Sequence, residues 1–242
     1  ADGSRPGDHG FDRWFGFLAG CIDYYSHIFY WGMNRGGPGQ NPTHDLWEND
    51  REVWHNGEYL TDVITRRSVE WIREAAKKDE PFFLFVSYNA PHYPMHAPKK
   101  YIDRFPDLAP DRRIMAAMLS AVDDGVGEIM AELERQGVID NTCVAFTSDN
   151  GPSRETRNWL DGRTDPYYGG TTGQLKGHKF SLYDGGIRVP GIISWPERIP
   201  GEQVVDLPCA SMDLAPTIVK AAGGDPAEHE FDGIDILPCI GE

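Results

Sequence analysis

The stretch from Thr147 to Pro190 constrains the fold of this chain more than any other. An apolar run at 144–146, Val-Ala-Phe, leads into the polar corner Ser148-Asp149-Asn150-Gly151. This pattern predicts a buried strand that delivers a carboxylate and an amide to a loop at its carboxyl end, where open α/β sheets bind their ligands. Further along, the glycines of 177–186 flank Lys179. They predict a loop that carries one lysine towards the same region.

Composition limits the classes of partner. The 242 residues suffice for one substantial core, and a hydrophobic share of 40% is that of an ordinary globular protein. A formal net charge of -15 argues against a nucleic-acid backbone or an anionic membrane as the main partner, although a local cationic pocket for a small anion is compatible with it. The four cysteines form no CxxC pair, so neither a zinc site nor a disulfide framework is indicated.

Helical periodicity and apolar runs predict alternating helices and strands. Apolar spacing predicts an amphipathic helix over 62–78 with Thr61 as its N-cap, and the run at 82–88 predicts a strand buried on both faces. A second helix, with apolar residues at three- and four-residue spacings over 115–133, leads to a strand at 143–148. We therefore predict a βαβ unit and an α/β fold, in which helices flank a mixed, mostly parallel sheet.

The remaining segments are assigned to the same domain. Residues 1–60 predict a loop-rich segment with short helices, packed through its aromatic side chains, and residues 61–242 predict the α/β core portion. A short strand is predicted at 191–195, and a helix with a serine cap at 211–220. The segment 231–238 is interpreted as a capping loop. We expect one domain over 1–242.

Polar residues that could carry chemistry follow successive predicted strands. Asp149 and Asn150 offer hard oxygen ligands suited to calcium or magnesium, although Asp-Asn-Gly is also a common turn sequence. Lys179 provides a point-like cation for an anion. His92, held between Pro91 and Pro94, could donate a proton or a hydrogen bond to the same anion. The neighbouring histidines, 96 and 178, are interpreted as spectators.

Two long motifs carry a family resemblance. Phe-Thr-Ser-Asp-Asn-Gly at 146–151 and Gly-His-Lys-Phe-Ser-Leu-Tyr-Asp-Gly-Gly-Ile-Arg-Val-Pro at 177–190 resemble the formylglycine-dependent sulfatases of the alkaline-phosphatase superfamily. Supporting blocks lie at 10–16, 81–88, 90–92, 212–218 and 231–235. The resemblance implies an alkaline-phosphatase-like fold and the hydrolysis of sulfate esters. By the same resemblance, Asp149 and Asn150 would bind Ca²⁺, Lys179 would contact the sulfate oxygens, and His92 would contact the sulfate or its leaving-group oxygen.

The resemblance also implies parts that this sequence does not contain. Sulfatases have an Asp pair on a central strand, and a Cys-x-Pro-Ser-Arg or related motif whose Cys or Ser is oxidised to formylglycine, the nucleophile. The context of Cys209, followed by Ala-Ser-Met-Asp, lacks both the proline and the arginine, and no other cysteine has them. We therefore expect an internal fragment without the N-terminal nucleophile region and the C-terminal subdomain. It should have a gap in its sheet, little or no bound Ca²⁺ and no appreciable sulfatase activity alone.

Substrate and reaction class stay open at the level of sequence. A sulfated small molecule or carbohydrate is the expected ligand. Aromatic and cationic residues of the loops 17–60 and 152–176 could contact a sugar, although packing within the surface loops is an equal alternative for them: Trp159, Arg163, Tyr167 and Tyr168. A phosphoester or phosphonate hydrolase of the same superfamily is an alternative, because phosphate and sulfate are both tetrahedral. A non-catalytic fragment that binds sulfated ligands is another. The family resemblance is compatible with a periplasmic, secreted or lysosomal-type compartment.

Overall fold

A computed structural model describes residues 3, 5–30, 42–154 and 168–240 of the chain. Contacts between Cα atoms divide the chain into two compact units. The first comprises Ala1–Trp71, Leu84–Ile129 and Asp149–Val189, and the second comprises Ile72–Phe83, Met130–Ser148 and Pro190–Glu242. The candidate sugar-contacting residues Trp159, Arg163 and Tyr167 lie outside the described residues.

The described elements are five short strands, then three helices, and then two strands among shorter helices. The strands are β1 (Phe15–Gly16), β2 (Ile28–Phe29), β3 (Thr43–His44), β4 (Trp47–Glu48), β5 (Arg51–Glu52), β6 (Val144–Thr147) and β7 (Gly191–Ser194). The α-helices are α1 (Leu60–Ala75), α2 (Lys99–Ile102), α3 (Pro110–Arg135), α4 (Asp184–Ile187), α5 (Leu214–Ala221) and α6 (Leu237–Ile240). Short 3₁₀ turns cover Pro6–His9, Ser211–Asp213 and Pro226–Glu228. Within the described ranges, no helix has the length and apolarity of a membrane-spanning segment.

The two long helices confirm the periodicity of the sequence. Helix α1 begins at Leu60, so Thr61 lies inside the helix and its prediction as the N-cap is wrong. Helix α3 buries the methionine stripe around Met118, which is fully buried. It ends at Arg135 and is followed by Gly137, whose φ of 69° is the left-handed geometry found just after a helix C-terminus, and the amide of Val138 donates to the carbonyl of Leu133.

The core of the first unit joins both helices to the N-terminal segment. Its buried cluster contains Ile22, Tyr24, Leu46, Tyr59, Leu60, Ile64, Tyr101, Ala117, Met118 and Ala121. The loop-rich segment predicted at 1–60 forms short antiparallel pairs, with strand orders β1-β4-β5 and β2-β3, and one 3₁₀ turn. Aromatic packing within it is confirmed, because Tyr24 and Tyr59 stack with their ring centroids 5.4 Å apart.

The mixed α/β class is confirmed, but the strand orientation differs from the prediction. In the second unit β6 pairs with β7 in an antiparallel ladder from Val144 opposite Ser194 to Thr147 opposite Gly191. All other strand pairs formed by the described residues are antiparallel too. The predicted burial of β6 is wrong, since Phe146 is 42% exposed. A two-stranded ladder of four residues per strand cannot cover both of its own faces.

The apolar run at 82–88 forms no strand. Phe85 is 70% exposed, whereas Val86 and Tyr88 pack against the core of the first unit. Burial on both faces is therefore wrong. In an extended segment side chains alternate between two sides, and here Leu84, Val86 and Tyr88 are partly buried whereas Phe83, Phe85 and Ser87 are exposed. The described strands form one sheet of three strands and two sheets of two strands.

The helix predicted at 211–220 also begins differently from the prediction. A 3₁₀ turn over Ser211–Asp213 precedes α5, and Ala210 occupies the N-cap position of that turn, so Ser211 is not the cap. The amide of Ala210 donates instead to the carboxylate of Asp213. Gly223, with a φ of 87°, ends the helix as expected.

Candidate active site

The predicted site residues lie on three segments of the first unit. Asp149 and Asn150 follow β6, His92 lies in the loop after the extended run, and Lys179 lies in the loop before α4. Asp149 is exposed, whereas Asn150, His92 and Lys179 are partly buried. The structure therefore places the four side chains at the surface of one unit, where a ligand can reach them.

Glycines hold the Asp-Asn corner against the lysine loop. The amide of Gly151 donates to the carbonyl of Gly186 over 2.9 Å, and the amide of Lys179 donates to the carbonyl of Pro152 over 3.0 Å. Gly151 is buried, and a Cβ atom there would lie 2.0 Å from the carbonyl oxygen of Gly185. Only a residue without a side chain allows this approach. The two motifs that carry the family resemblance are therefore neighbours in space.

Lys179 and His92 meet although 87 positions separate them. The Lys179 Nζ atom lies 3.4 Å from the His92 Nε2 atom. The His92 Nδ1 atom lies 2.9 Å from the carbonyl oxygen of Tyr93, and since a carbonyl only accepts, Nδ1 carries the hydrogen. In neutral His92 the Nε2 atom is thus the acceptor, turned towards the ammonium group. A cation and an imidazole nitrogen together suit an anion that also needs a proton donor.

The Asp149–Asn150 corner contains two hard oxygen ligands. The amide of Asn150 donates to Asp149 Oδ1 over 2.9 Å, and the Asn150 Nδ2 atom donates to the carbonyl of Gly151 over 3.0 Å. The nitrogen of the side-chain amide is thereby committed to the chain, which leaves its oxygen as the ligand-type atom. Carboxylate and amide oxygens are the ligands that Ca²⁺ takes, in sets of six to eight.

The corner fits part of a calcium site. Among the described residues no group of three or more His, Cys, Asp or Glu side chains is arranged to hold a metal ion. Asp149 and Asn150 therefore match the ion in ligand chemistry, but they supply only a minority of the ligands that it needs.

Two tyrosines that the sequence did not single out support the histidine loop. The hydroxyl of Tyr24 donates to the carbonyl of His92 over 3.0 Å, and the hydroxyl of Tyr59 donates to the carbonyl of His96 over 2.9 Å. Burial, followed by the neighbouring Tyr59 and Cys21, raises the pKa of Tyr24 well above its ordinary value, so it stays a neutral donor. No local pattern indicates such contacts, because they join distant segments.

The neighbouring histidines have contacts of their own. His178 Nδ1 lies 2.7 Å from the carbonyl oxygen of Lys179, a local contact along the loop. His96 Nδ1 lies 3.1 Å from Asp23 Oδ2. The His96 ring thus faces Asp23, whereas the His92 ring faces Lys179.

An ammonium group, an imidazole and a hard-oxygen corner on an α/β scaffold are the parts of a metal-assisted hydrolase of anionic esters. The Sulfatase family model matches residues 2–224. The chain therefore belongs to the sulfatase family.

Curated relatives match nearly the whole chain. It is 34% identical over 241 residues to arylsulfatase J of Mus musculus, covering 98% of this chain and 37% of that protein. It is 31% identical to the uncharacterised sulfatase YdeN of Escherichia coli strain K12, covering 98% of this chain and 38% of that protein. It is 30% identical to N-acetylgalactosamine-6-sulfatase of Canis lupus familiaris, covering 98% and 43%. The chain thus spans about two fifths of the length of these relatives.

Solved structures share the fold. The crystal structure of Ps i-CgsB in complex with k-i-k-neocarrahexaose is 31% identical with a TM-score of 0.81, covering 99% of this chain and 52% of that one. The putative sulfatase yidJ from Bacteroides fragilis is 24% identical with a TM-score of 0.69, covering 96% and 49%. The latter likeness concerns the fold alone. Together they confirm the alkaline-phosphatase-like fold as an incomplete one.

Proposed function

We propose that this chain is the sulfate-binding part of a single sulfatase catalytic domain, which hydrolyses sulfate esters in the intact protein. The observation that carries the proposal is the 3.4 Å approach of Lys179 Nζ to His92 Nε2, beside the Asp149–Asn150 corner. A tetrahedral oxyanion needs positive charge and hydrogen-bond donors from more than one direction. Lys179, His92 and the corner lie on three different segments of the unit, which supports this requirement.

Each residue of the chain has a chemical role in this proposal. Lys179 binds the non-bridging sulfate oxygens as a point charge. His92, with its Nδ1 hydrogen on the Tyr93 carbonyl, uses Nε2 towards the ester. When Nε2 is protonated, it donates a hydrogen bond to the bridging oxygen and then the proton that the leaving alcohol needs. Removing Lys179 should therefore weaken sulfate binding through loss of the contact to the non-bridging oxygens, and removing His92 through loss of the contact to the bridging oxygen.

Asp149 and Asn150 would hold Ca²⁺ through their side-chain oxygens. When bound, the ion supplies positive charge that stabilises the sulfate oxygens. Because these two residues are a minority of a calcium ligand set, we expect weak metal binding by the chain alone. The formylglycine nucleophile, expected from the family, has no precursor motif in this sequence, so we expect no turnover by the chain alone.

The proposed substrate is a sulfated carbohydrate or another small sulfate ester. Two relatives support it, since one is named N-acetylgalactosamine-6-sulfatase and one solved structure holds a neocarrahexaose. Tyr168, which is 61% exposed, is the described member of the candidate sugar-contacting residues. An exposed aromatic ring can stack on a sugar face.

Titration with inorganic sulfate tests the proposal on this chain. We expect sulfate to shift the NMR signals of Lys179 and His92, and Lys179→Ala to weaken binding roughly tenfold to a hundredfold, the range for a hydrogen bond to a charged group. The matched control is Lys176→Ala. Lys176 lies in the same loop, with its Nζ 3.9 Å from the centroid of the Tyr183 ring. Its substitution should leave sulfate binding nearly unchanged.

Four outcomes would contradict the proposal. One is a wild-type chain that does not bind sulfate, and another is equal binding by wild type and Lys179→Ala. Preference for phosphate over sulfate would favour the phosphoester hydrolases of the superfamily. Turnover of 4-nitrophenyl sulfate by the chain alone, abolished in Lys179→Ala, would show that the site is complete as it stands.

A further inference from the structure

The loop that presents His92 is held by hydroxyl groups from two other segments. Tyr24 donates to the carbonyl of His92 itself, and Tyr59 donates to the carbonyl of His96, four residues further on. Both tyrosine side chains are buried, with residue exposures of 0% and 4%. Because a hydrogen bond in a buried setting fixes its partner in direction as well as distance, both ends of the loop 92–96 are tied to the core.

The turn that contains Tyr24 is itself fixed by Asp23. The Oδ1 atom of Asp23 accepts hydrogen bonds from the amides of Tyr25 and Ser26 and from the Ser26 hydroxyl, over 2.9, 2.7 and 2.9 Å. Its Oδ2 atom lies 3.1 Å from His96 Nδ1. Burial acts to raise the pKa of Asp23, but the contacts with His96, Ser26 and Tyr25 outweigh it and hold the pKa well below its usual range. The carboxylate therefore stays charged and joins the turn to the loop.

Aromatic packing makes this support rigid. The Tyr24 ring stacks on Tyr59 at 5.4 Å and meets the His96 ring edge-on at 6.4 Å, while Tyr25 contacts both Tyr59 and His96. Close aromatic packing leaves these rings few alternative rotamers. This packing favours the rotamer in which the Tyr24 hydroxyl donates to the backbone of His92.

This support has a direct consequence for the candidate site. The imidazole and the carbonyl that accepts from Tyr24 belong to the same residue, His92. The Nε2 atom of this imidazole lies 3.4 Å from Lys179 Nζ. A displacement of about 1 Å at this carbonyl would take Nε2 out of reach of a shared anion, and errors of that size cost large factors in positioning. The backbone of His92 is thus the point where core packing meets site geometry.

We propose that Tyr24, supported by Tyr59 and by the Asp23–His96 pair, is a positioning residue for His92. Its hydroxyl keeps the His92 Nε2 atom beside Lys179 so that both contact one anion. The inference rests on the proposed function, since it assigns support to the same sulfate site. Tyr24 does not touch the substrate. It acts through the backbone of His92.

The test compares two tyrosine-to-phenylalanine variants of this chain. Tyr24→Phe keeps the stacked ring and removes the hydroxyl that holds His92. The matched control is Tyr88→Phe, which removes a part-buried hydroxyl that lies 2.7 Å from Thr65 Oγ1 on helix α1. Both variants are compared with wild type by thermal unfolding, by titration with inorganic sulfate, and by long-range ¹⁵N–¹H NMR spectra that show which ring nitrogen of His92 carries the hydrogen.

We expect Tyr24→Phe to weaken sulfate binding about threefold to tenfold, and to change the His92 ring signals from those of a single Nδ1–H form. Tyr88→Phe should lower the unfolding temperature by about as much as Tyr24→Phe does. It should nevertheless keep sulfate affinity within roughly twofold and leave the His92 signals unchanged. A purely structural role would affect both variants alike. A folded Tyr24→Phe chain with wild-type affinity and wild-type His92 signals would overturn the proposal.

The proposal also remains testable if Tyr24→Phe does not fold or if the wild-type chain does not bind sulfate. If Tyr24→Phe does not fold, Tyr59→Phe takes its place and is judged by the same criteria, because it releases the other end of the loop. If the wild-type chain does not bind sulfate, the proposed function fails. The His92 spectrum then decides the positioning role alone, with a changed signal in the variant supporting it and an unchanged signal overturning it.

Discussion

A single methyl group should have opposite effects at two glycines of helix α3. At Gly127 an added Cβ atom would meet nothing within 4 Å. At Gly125, two residues earlier, it would lie 2.4 Å from Thr65 Oγ1 and 2.8 Å from the Tyr88 hydroxyl oxygen. Those two oxygens lie 2.7 Å from each other, and the Thr65 hydroxyl also donates to the carbonyl of Thr61. Helix α1 and Tyr88 therefore occupy the space that the methyl group needs.

The expected sizes follow from this geometry. Alanine in a helix interior is favoured over glycine by about 0.5–1 kcal/mol, so Gly127→Ala should raise the free energy of unfolding by that amount. Gly125→Ala has the same gain, but overpacking costs about 1–3 kcal/mol and the strained Thr65–Tyr88 contact about 0.5–1.5 kcal/mol. The net loss at Gly125 is roughly 0.5–4 kcal/mol, and since both variants share the alanine gain, their stabilities differ by about 1.5–4.5 kcal/mol.

Thermal and urea unfolding followed by circular dichroism measure this difference. For a chain of this size 1 kcal/mol shifts the melting temperature by about 2–4 °C, so Gly125→Ala should melt at least about 3 °C below Gly127→Ala. Removing the obstruction with Thr65→Ala should reduce the cost of Gly125→Ala, a coupling that a double-mutant cycle detects. Equal stability of the two alanine variants would refute the reasoning, because it would mean that α3 does not contact Thr65 and Tyr88 as described.

Two other perturbations have defined outcomes. Gly151→Ala should push the Asp-Asn corner away from the Gly185 carbonyl, lower the free energy of unfolding by about 1–3 kcal/mol and weaken sulfate binding. The control Gly20→Ala places its methyl group in open space and should change neither stability nor sulfate binding. Unaffected sulfate binding by Gly151→Ala would contradict the close packing of the corner. Burial, then the nearby His44, lowers the pKa of His27, so stability should be full above about pH 6.5 and fall as the pH drops below it. His27→Asn, which tolerates the φ of 56°, should flatten urea midpoints measured between pH 5 and 7.5, and an unchanged slope would exclude His27 as the cause.

The elements that the sequence predicts best are those with a long, repeated signal. Helix α3 extends over Pro110–Arg135 and includes the whole apolar repeat of 115–133. Many turns each contribute to that signal, and Gly137 marks its end. The strand predictions rest on five to seven residues, and burial is inferred from apolarity alone. At β6 and at 82–88 that inference fails, because a side chain is buried only where another element covers it.

The site shows a similar division. Asp149, Asn150, Lys179 and His92 are predicted from motifs and from their place after apolar runs, and the structure places the last two side chains in contact. Their roles remain a prediction that sulfate binding tests. The contact between Tyr24 and His92 spans 68 positions and joins a side chain to a backbone carbonyl. Such a contact depends on how segments pack, which no local pattern encodes.

The glycines of the lysine loop have a different purpose from the one that their spacing suggests. Glycines at these positions would let the backbone approach a ligand closely. In the structure the backbone that they approach is the protein's own, since a Cβ atom at Gly185 would lie 2.5 Å from the carbonyl oxygen of Gly177, and one at Gly186 would lie 2.2 Å from that of Ser181. Together with Gly151, they let two chain segments pack without side chains between them. The glycines therefore determine where Lys179 lies relative to Asp149 and Asn150. A substitution at one of them would act on the site by increasing the distance between Lys179 and these two residues.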